Sequence, residues 1–163
     1  MTIDFFKSSL IDFLDQLDGK LQSTDIDVSN FLLDHVCWRC ATLEEYTFMS
    51  NFLENNGTLF HKSHHNGREV SLFNLQSPIT HKGRSIDQVE LPAPKSNKNY
   101  PSGFEHAEFV VAENLHLWQQ QYTVNWDLKN INKDINPDVR ISFGDICAKF
   151  HPYSLSYVVK HLE

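Results

Sequence analysis

Apolar side chains recur along the first segment at Ile3, Phe6, Leu10, Phe13, Leu14, Leu17 and Leu21. Steps of three and four put them on one stripe, which predicts an amphipathic helix packed on the body of the fold. Residues 22–33 lose that period and read as a connector. The run LLDHVCWRC, residues 32–40, is rich in apolar, aromatic and sulfur-bearing side chains and predicts a strand. In ATLEEYTFMSNFLENNG, Thr42 and Glu45 have the spacing of a capping box, so a helix starts there and Asn56-Gly57 stops it. Two half-apolar runs then flank Asn66-Gly67, the strongest short hairpin signal; a two-residue turn there pairs His65 with Arg68 and His61 with Leu72. After SPITHKG, the run RSIDQVEL predicts another strand, ended by the linker PAPKSNKNYPSG with its three prolines Pro92, Pro94 and Pro101.

The pattern then starts again. FEHAEFVVA predicts a strand and ENLHLWQQQY a helix. NWDLKNINKDINPDV is polar and turn-rich, with room for one short strand. RISF and ICAKFH flank Gly144-Asp145 as a second, tighter hairpin. Laying DHVCWRCATL over EHAEFVVAEN matches Asp34 with Glu105, His35 with His106, Trp38 with Phe109 and Ala41 with Ala112, an offset of 71 residues (106 − 35). The ends VELPAPK and KFHPYSL repeat more loosely. The repeat predicts a single α+β domain, residues 1–163. It comprises an N-terminal helical segment (1–33), a first βαβββ module (34–91), a linker (92–103) and a second βαβββ module (104–163). The two modules are expected to form a curved mixed sheet around a shared cavity.

Composition narrows the function classes. The chain has 163 residues, 40% of them hydrophobic and 12% aromatic, enough for one ordinary core. A net charge of −7 with scattered basic residues argues against nucleic acid as a partner. No apolar run approaches the ~20 residues of a membrane span, and the acids in the first segment do not suit a secretory signal. A cytoplasmic location is expected, with Cys37, Cys40 and Cys147 reduced.

Strand parity picks out the chemistry. Side chains alternate faces along a strand. Val36, Trp38 and Cys40 share one face of the first strand, and His35, Cys37 and Arg39 share the other. Ala107, Phe109 and Val111 likewise oppose His106, Glu108 and Val110. The apolar faces belong under the helices, which turns both histidines toward the cavity. In RSIDQVEL, Arg84, Ile86, Gln88 and Glu90 share a face, with Glu90 at the strand's end. His35, Glu90 and His106 thus make a candidate set for one divalent transition metal, with positions open for water or substrate. Arg39 and Arg84 are candidates to hold a carboxylate or phosphate of a substrate, or to pair internally with Glu108. Cys37-Trp38-Arg39-Cys40 has the form of a redox or zinc motif, but in an extended strand its sulfurs point to opposite faces. His61, His64 and His65 read as a solvated hairpin, with His64 facing away from the other two. Asn56-Gly57-Thr58 is a glycosylation sequon in form only.

Paired βαβββ modules with a His on the first strand and a Glu on the last resemble the vicinal oxygen chelate superfamily, which includes glyoxalase I, extradiol dioxygenases and methylmalonyl-CoA epimerase. More closely, LDHVCWR, HKGRSIDQVELPAPK, GFEHAEFV and KFHPYSL resemble the bacterial YecM family over nearly the whole chain. The resemblance implies one ligand from the first and last strand of each module, which His35, Glu90 and His106 match. Aligning Pro92 with Pro152 puts Phe150 opposite Glu90, so the fourth ligand is His151 if the register slips by one, or is replaced by Lys149 entering the cavity as a cation and substrate contact. The implied activity is Lewis-acid chemistry on adjacent oxygens of a small molecule, with an enolate-like intermediate and Glu108 or Glu90 carrying protons. Isomerase, lyase or Fe(II) dioxygenase chemistry fits, with Zn, Ni, Mn or Fe as the metal. The alternatives are a metal-free small-ligand binder of the same fold and an interaction module that docks a partner through the N-terminal helix.

Overall fold

In the computed structural model, which describes residues 1–65, 67–96, 99–111 and 114–161, the first apolar stripe forms helix α1 (Ile3–Gln22). The chain divides into two compact units, residues 1–11 with 35–105 and residues 12–34 with 106–163. Helix α1 begins in the first and runs into the second. Phe6 and Leu10 are buried in the one; Phe13, Leu14, Leu17 and Leu21 are buried in the other. Each large side chain so buried contributes about 1.5–3 kcal/mol.

The first unit is the expected strand–helix–three-strand module. Strand β1 (Leu32–Arg39) is followed by α2 (Leu43–Asn55), β2 (Gly57–His65), β3 (Arg68–His81) and β4 (Arg84–Pro92). The strand order is β2-β3-β4-β1. β1 and β4 run parallel, while β2–β3 and β3–β4 are antiparallel. The N-cap forms as the spacing predicts: Thr42 Oγ1 accepts from Glu45 N at 3.1 Å, while the Glu45 carboxylate reaches back to the residue before the cap. That carboxylate accepts from the Ala41 N–H at 2.8 Å and the Trp38 indole N–H at 3.1 Å, tying α2 to the end of β1. Phe6 packs against Trp38, Phe52 and Phe104 with ring centroids 5.1–5.9 Å apart.

The hairpin registers as expected, His65 opposite Arg68 and His61 opposite Leu72, with Gly67 at φ +75°. Asn66 of that turn lies outside the described residues. Helix α2 stops at Asn56-Gly57 as expected, with Asn56 as its C-cap, and Gly57 opens β2, where a Cβ would collide with the Asn74 carbonyl oxygen. One detail differs from the sequence pattern. The stretch SPITH is strand rather than connector. β3 absorbs it with an irregularity between Asn74 and Ile79 that accommodates Pro78. β3 and β4 then turn at Lys82-Gly83, both at positive φ, which suits a tight hairpin.

In the second unit β5 (Gly103–Val110) pairs parallel with β7 (Ile146–His151), and β6 (Val139–Phe143) pairs antiparallel with β7. The order is β5-β7-β6. The expected tight turn at Gly144-Asp145 joins β6 to β7, with Phe143 opposite Ile146. Helix α3 (Leu115–Gln119) is much shorter than the sequence suggests; Glu113, like Ala112, lies outside the described residues, as do Asn97 and Lys98 of the linker. The Trp126 indole N–H donates to the Gln119 carbonyl at 3.1 Å and caps the last turn. The short strand sought in the polar stretch is a single bridge, Asp127 to Arg140, reinforced by an ion pair at 2.6 Å. A further helix, α4 (Leu155–His161), follows β7. Phe150 stacks between Phe109, Trp118 and Trp126 as the centre of this core.

Candidate metal centre

In the first unit, parallel pairing sets Cys37 of β1 opposite Glu90 of β4. His35, two residues before Cys37, shares its face and is therefore the diagonal neighbour of Glu90. The imidazole is 2% exposed, and His35 Nε2 lies 3.6 Å from Glu90 Oε2. A buried imidazole facing a carboxylate suits a proton or a metal ion held between them.

In the second unit, parallel pairing sets Glu108 of β5 opposite Lys149 of β7, and Val110 opposite His151. His106, Glu108, Lys149 and His151 thus share one face without any slip of register. Glu108 is the hub. Its Oε1 lies 3.0 Å from His106 Nε2 and accepts from the Lys149 ammonium at 2.7 Å. Its Oε2 lies 3.4 Å from His151 Nε2. Lys149 Nζ also stands 3.0 Å from His106 Nε2. His151 Nδ1 faces the Tyr153 carbonyl at 2.7 Å, so that nitrogen carries the hydrogen and Nε2 is presented to Glu108. Asp34 stands 3.7 Å from the same Nε2, while its Oδ2 accepts from the Leu155 N–H at 2.8 Å and so caps α4. A ring hydrogen given to a backbone carbonyl is the usual support of a metal-binding histidine.

Register also revises the comparison of the two halves. The residue at the position of Glu90 is Lys149, not Phe150: His35, Cys37 and Glu90 correspond to His106, Glu108 and Lys149. Phe150 points into the aromatic core. Aligning the two prolines misplaces β7 by one residue.

The remaining sequence candidates are placed as follows. Arg39 pairs with Glu105 at 3.5 Å, donates to the Pro101 carbonyl at 2.9 Å and stacks over Tyr100. Arg84 opens β4 beside the Lys82-Gly83 turn, six residues before Glu90; at ~3.3 Å per residue that is about 20 Å along the strand. It is not brought to the His35–Glu90 pair. His61, His64 and His65 lie on β2, which is largely exposed. Cys37, Cys40 and Cys147 are free thiols and buried; burial, then the charge of Glu45, pushes the Cys40 thiol up to about 12.

Two features escaped the sequence. Asp34 and Asn136 support the His151 segment; Asn136, at φ +45°, exchanges hydrogen bonds with Tyr153. On the opposite, helix-covered side of the first sheet, Tyr46 donates to Glu69 at 2.6 Å and meets Ser71 at 2.8 Å, while Lys62 pairs with Glu69 at 3.0 Å. The Tyr46 hydroxyl is pushed up to about 12 by burial and by Glu69, and Glu69 is held below the usual carboxylate range by Tyr46 and then Lys62. The second unit also has a cleft of about 470 Å³ lined by Thr24, Trp126, Arg140 and Ser142 among others; no residue singled out from the sequence lines it.

Donors able to hold a metal ion therefore occur in both units: His35 and Glu90 in the first, Asp34, His106, Glu108 and His151 in the second. Imidazole with carboxylate fits a divalent transition metal. Among the described residues, no helix is long and apolar enough to cross a membrane.

An uncharacterized protein of Haemophilus influenzae is 29% identical over 152 residues, covering 80% of this chain and 79% of its own. Protein YecM of Escherichia coli is 27% identical over a 172-residue alignment, covering 93% and 89%. A solved structure described as Protein EC4020 superposes with a TM-score of 0.84 at 23% identity, over 98% of this chain and 92% of that one. Methylmalonyl-CoA epimerase of Streptomyces coelicolor, solved with 2-nitronate-propionyl-CoA, matches with a TM-score of 0.51 at 12% identity, over 76% and 97%; that likeness is one of fold, the vicinal oxygen chelate fold. The family model described as YecM protein matches residues 4–135, and the chain belongs to that family.

Proposed function

We infer that the protein binds one divalent transition metal (zinc, nickel, manganese or iron) through His35, Glu90 and His106, with His151 as a further donor, and acts on a small molecule. The observation that carries this reading is the His35–Glu90 pair at 3.6 Å, whose histidine has a buried counterpart, His106, on the equivalent strand. When bound, the metal would supply Lewis-acid polarisation of adjacent substrate oxygens, the chemistry of an isomerase, lyase or dioxygenase. The chain's own part is proton handling and orientation. Glu108, gripped by Lys149 at 2.7 Å and facing His151 at 3.4 Å, is placed to take up or release a proton. Arg39 remains a candidate for an anionic group of the substrate, at the cost of its pairing with Glu105, while Arg84, at the far end of β4, does not enter this reading. Neither nucleic acid nor membrane enters this reading, and a cytoplasmic location accords with it.

The test is elemental analysis of untagged protein purified without chelators, beside His35→Ala, Glu90→Gln and His106→Ala. About one metal per chain in the parent, lost in all three, is expected. Full retention in Glu90→Gln would remove that residue from the set. A second reading, a metal-free binder of small ligands, is favoured by one observation: a lysine ammonium already engages His106. No metal in any sample, even after adding Mn, Fe, Ni or Zn, would overturn the metal reading and turn the test of this second one to a screen of small ligands.

A further inference from the structure

We propose that Lys149 is a resident cation in the place of a fourth metal ligand, and that it holds down the affinity of the second unit for divalent metals. The inference rests on His106 being a metal donor, as proposed above. Each half presents the same register: a histidine, the residue two further along the strand, and a partner across the parallel ladder. In the first half these are His35, Cys37 and Glu90; in the second they are His106, Glu108 and Lys149. Where one half has a carboxylate, the other has an ammonium.

The contacts show what the exchange does. A lysine ammonium has three donors and no acceptor, so in the tautomer that carries its hydrogen on Nδ1, His106 offers its Nε2 lone pair to the ammonium at 3.0 Å. A metal needs that same lone pair, at ~2.0–2.1 Å. The two cations exclude each other by geometry and by like charge. Glu108, opposite Lys149, accepts from it at 2.7 Å, so this half-buried ammonium is compensated within its own sheet. The Lys149 side chain is 21% exposed, which leaves it a route toward solvent when displaced. Glu108 therefore has one more duty than a ligand would: it anchors the competitor.

Titration of the full chain with Co²⁺ by calorimetry, on wild type, His35→Ala, Lys149→Glu, Lys149→Met and Lys149→Glu/His106→Ala, tests the proposal. Lys149→Glu restores the carboxylate of the first half and is expected to bind Co²⁺ at least about ten-fold more tightly than wild type, with Lys149→Met intermediate. His106→Ala in the Lys149→Glu background is expected to erase the gain. Lys149→Met is the safeguard should two adjacent glutamates impair folding, which a thermal melt would show. If neither folded variant binds more tightly than wild type, the proposal is overturned. The broader metal reading then still stands wherever wild type loses Co²⁺ on His35→Ala. Binding by Lys149→Glu alone, with none by wild type, supports the resident cation and defeats the metal reading of the natural protein. No binding by any variant overturns both.

Discussion

Cys40 shows how a residue's surroundings decide its chemistry. A CxxC pattern invites a redox role, yet both thiols are buried, and the Cys40 thiol is pushed up to about 12. Thiolates, not thiols, react. At pH 8 the native protein should therefore resist a thiol reagent, with all three cysteines labelled only after denaturation; rapid labelling of Cys40 in the native state would contradict its environment. Tyr46 and Glu69 make a paired prediction. The Tyr46 hydroxyl is raised to about 12, so its contribution to stability is complete below the ordinary tyrosine value of 10.0 and is lost as pH climbs through about 12. Glu69 is lowered, so its contribution is present above the ordinary glutamate value and is lost as pH falls through its own. Tyr46→Phe should flatten both limbs of the stability–pH curve, measured by urea unfolding at several pH values. The facing of His35 and Glu90 was legible because alternation assigns their faces, and the parallel ladder sets them 3.6 Å apart. The position across from Glu108 was misaligned, Phe150 instead of Lys149, because Pro92 closes β4 while Pro152 follows β7, so matching the two prolines shifts the register by one.

Elements were legible where the signal is local. β1, α2 and the β2–β3 hairpin carry their own start and stop signals, and they form as read. α3 and α4 do not. The first is cut to a single turn and closed by the Trp126 indole; the second is capped by Asp34, 121 residues away in sequence, which no local pattern can reveal. Three substitutions measure the local signals. Thr42→Ala removes the N-cap of α2 and should cost about 1 kcal/mol. Glu45→Ala removes an acceptor serving the Ala41 N–H and the Trp38 indole and should cost more, about 2–3 kcal/mol. Gly57→Ala forces a methyl against the Asn74 carbonyl and should cost about 1–3 kcal/mol by parting β2 from β3. Urea midpoints read all three, and an unaltered midpoint for Gly57→Ala would mean that β2 moves freely on β3.

At the scale of the molecule the repeat was legible, because two strands of matched parity 71 residues apart leave few other architectures. A bound metal should stabilise the native state by mass action, about 2.7 kcal/mol at a hundred-fold excess over Kd. A melting temperature that rises with added Co²⁺ in wild type, and rises further in Lys149→Met, is the expected result. The path of the chain has a consequence for how the protein is made. Residues 12–34 belong to the same unit as residues 106–163, with the whole of 35–105 between them in sequence. On the ribosome, Phe13, Leu14, Leu17 and Leu21 leave the exit tunnel well before the strands that complete their unit. At about 5–20 residues per second, the intervening stretch takes roughly 4–14 s to synthesise. Until residues 106–163 follow, the nascent chain lacks the native partners of that stripe, so slow codons within 35–105 lengthen the interval rather than help.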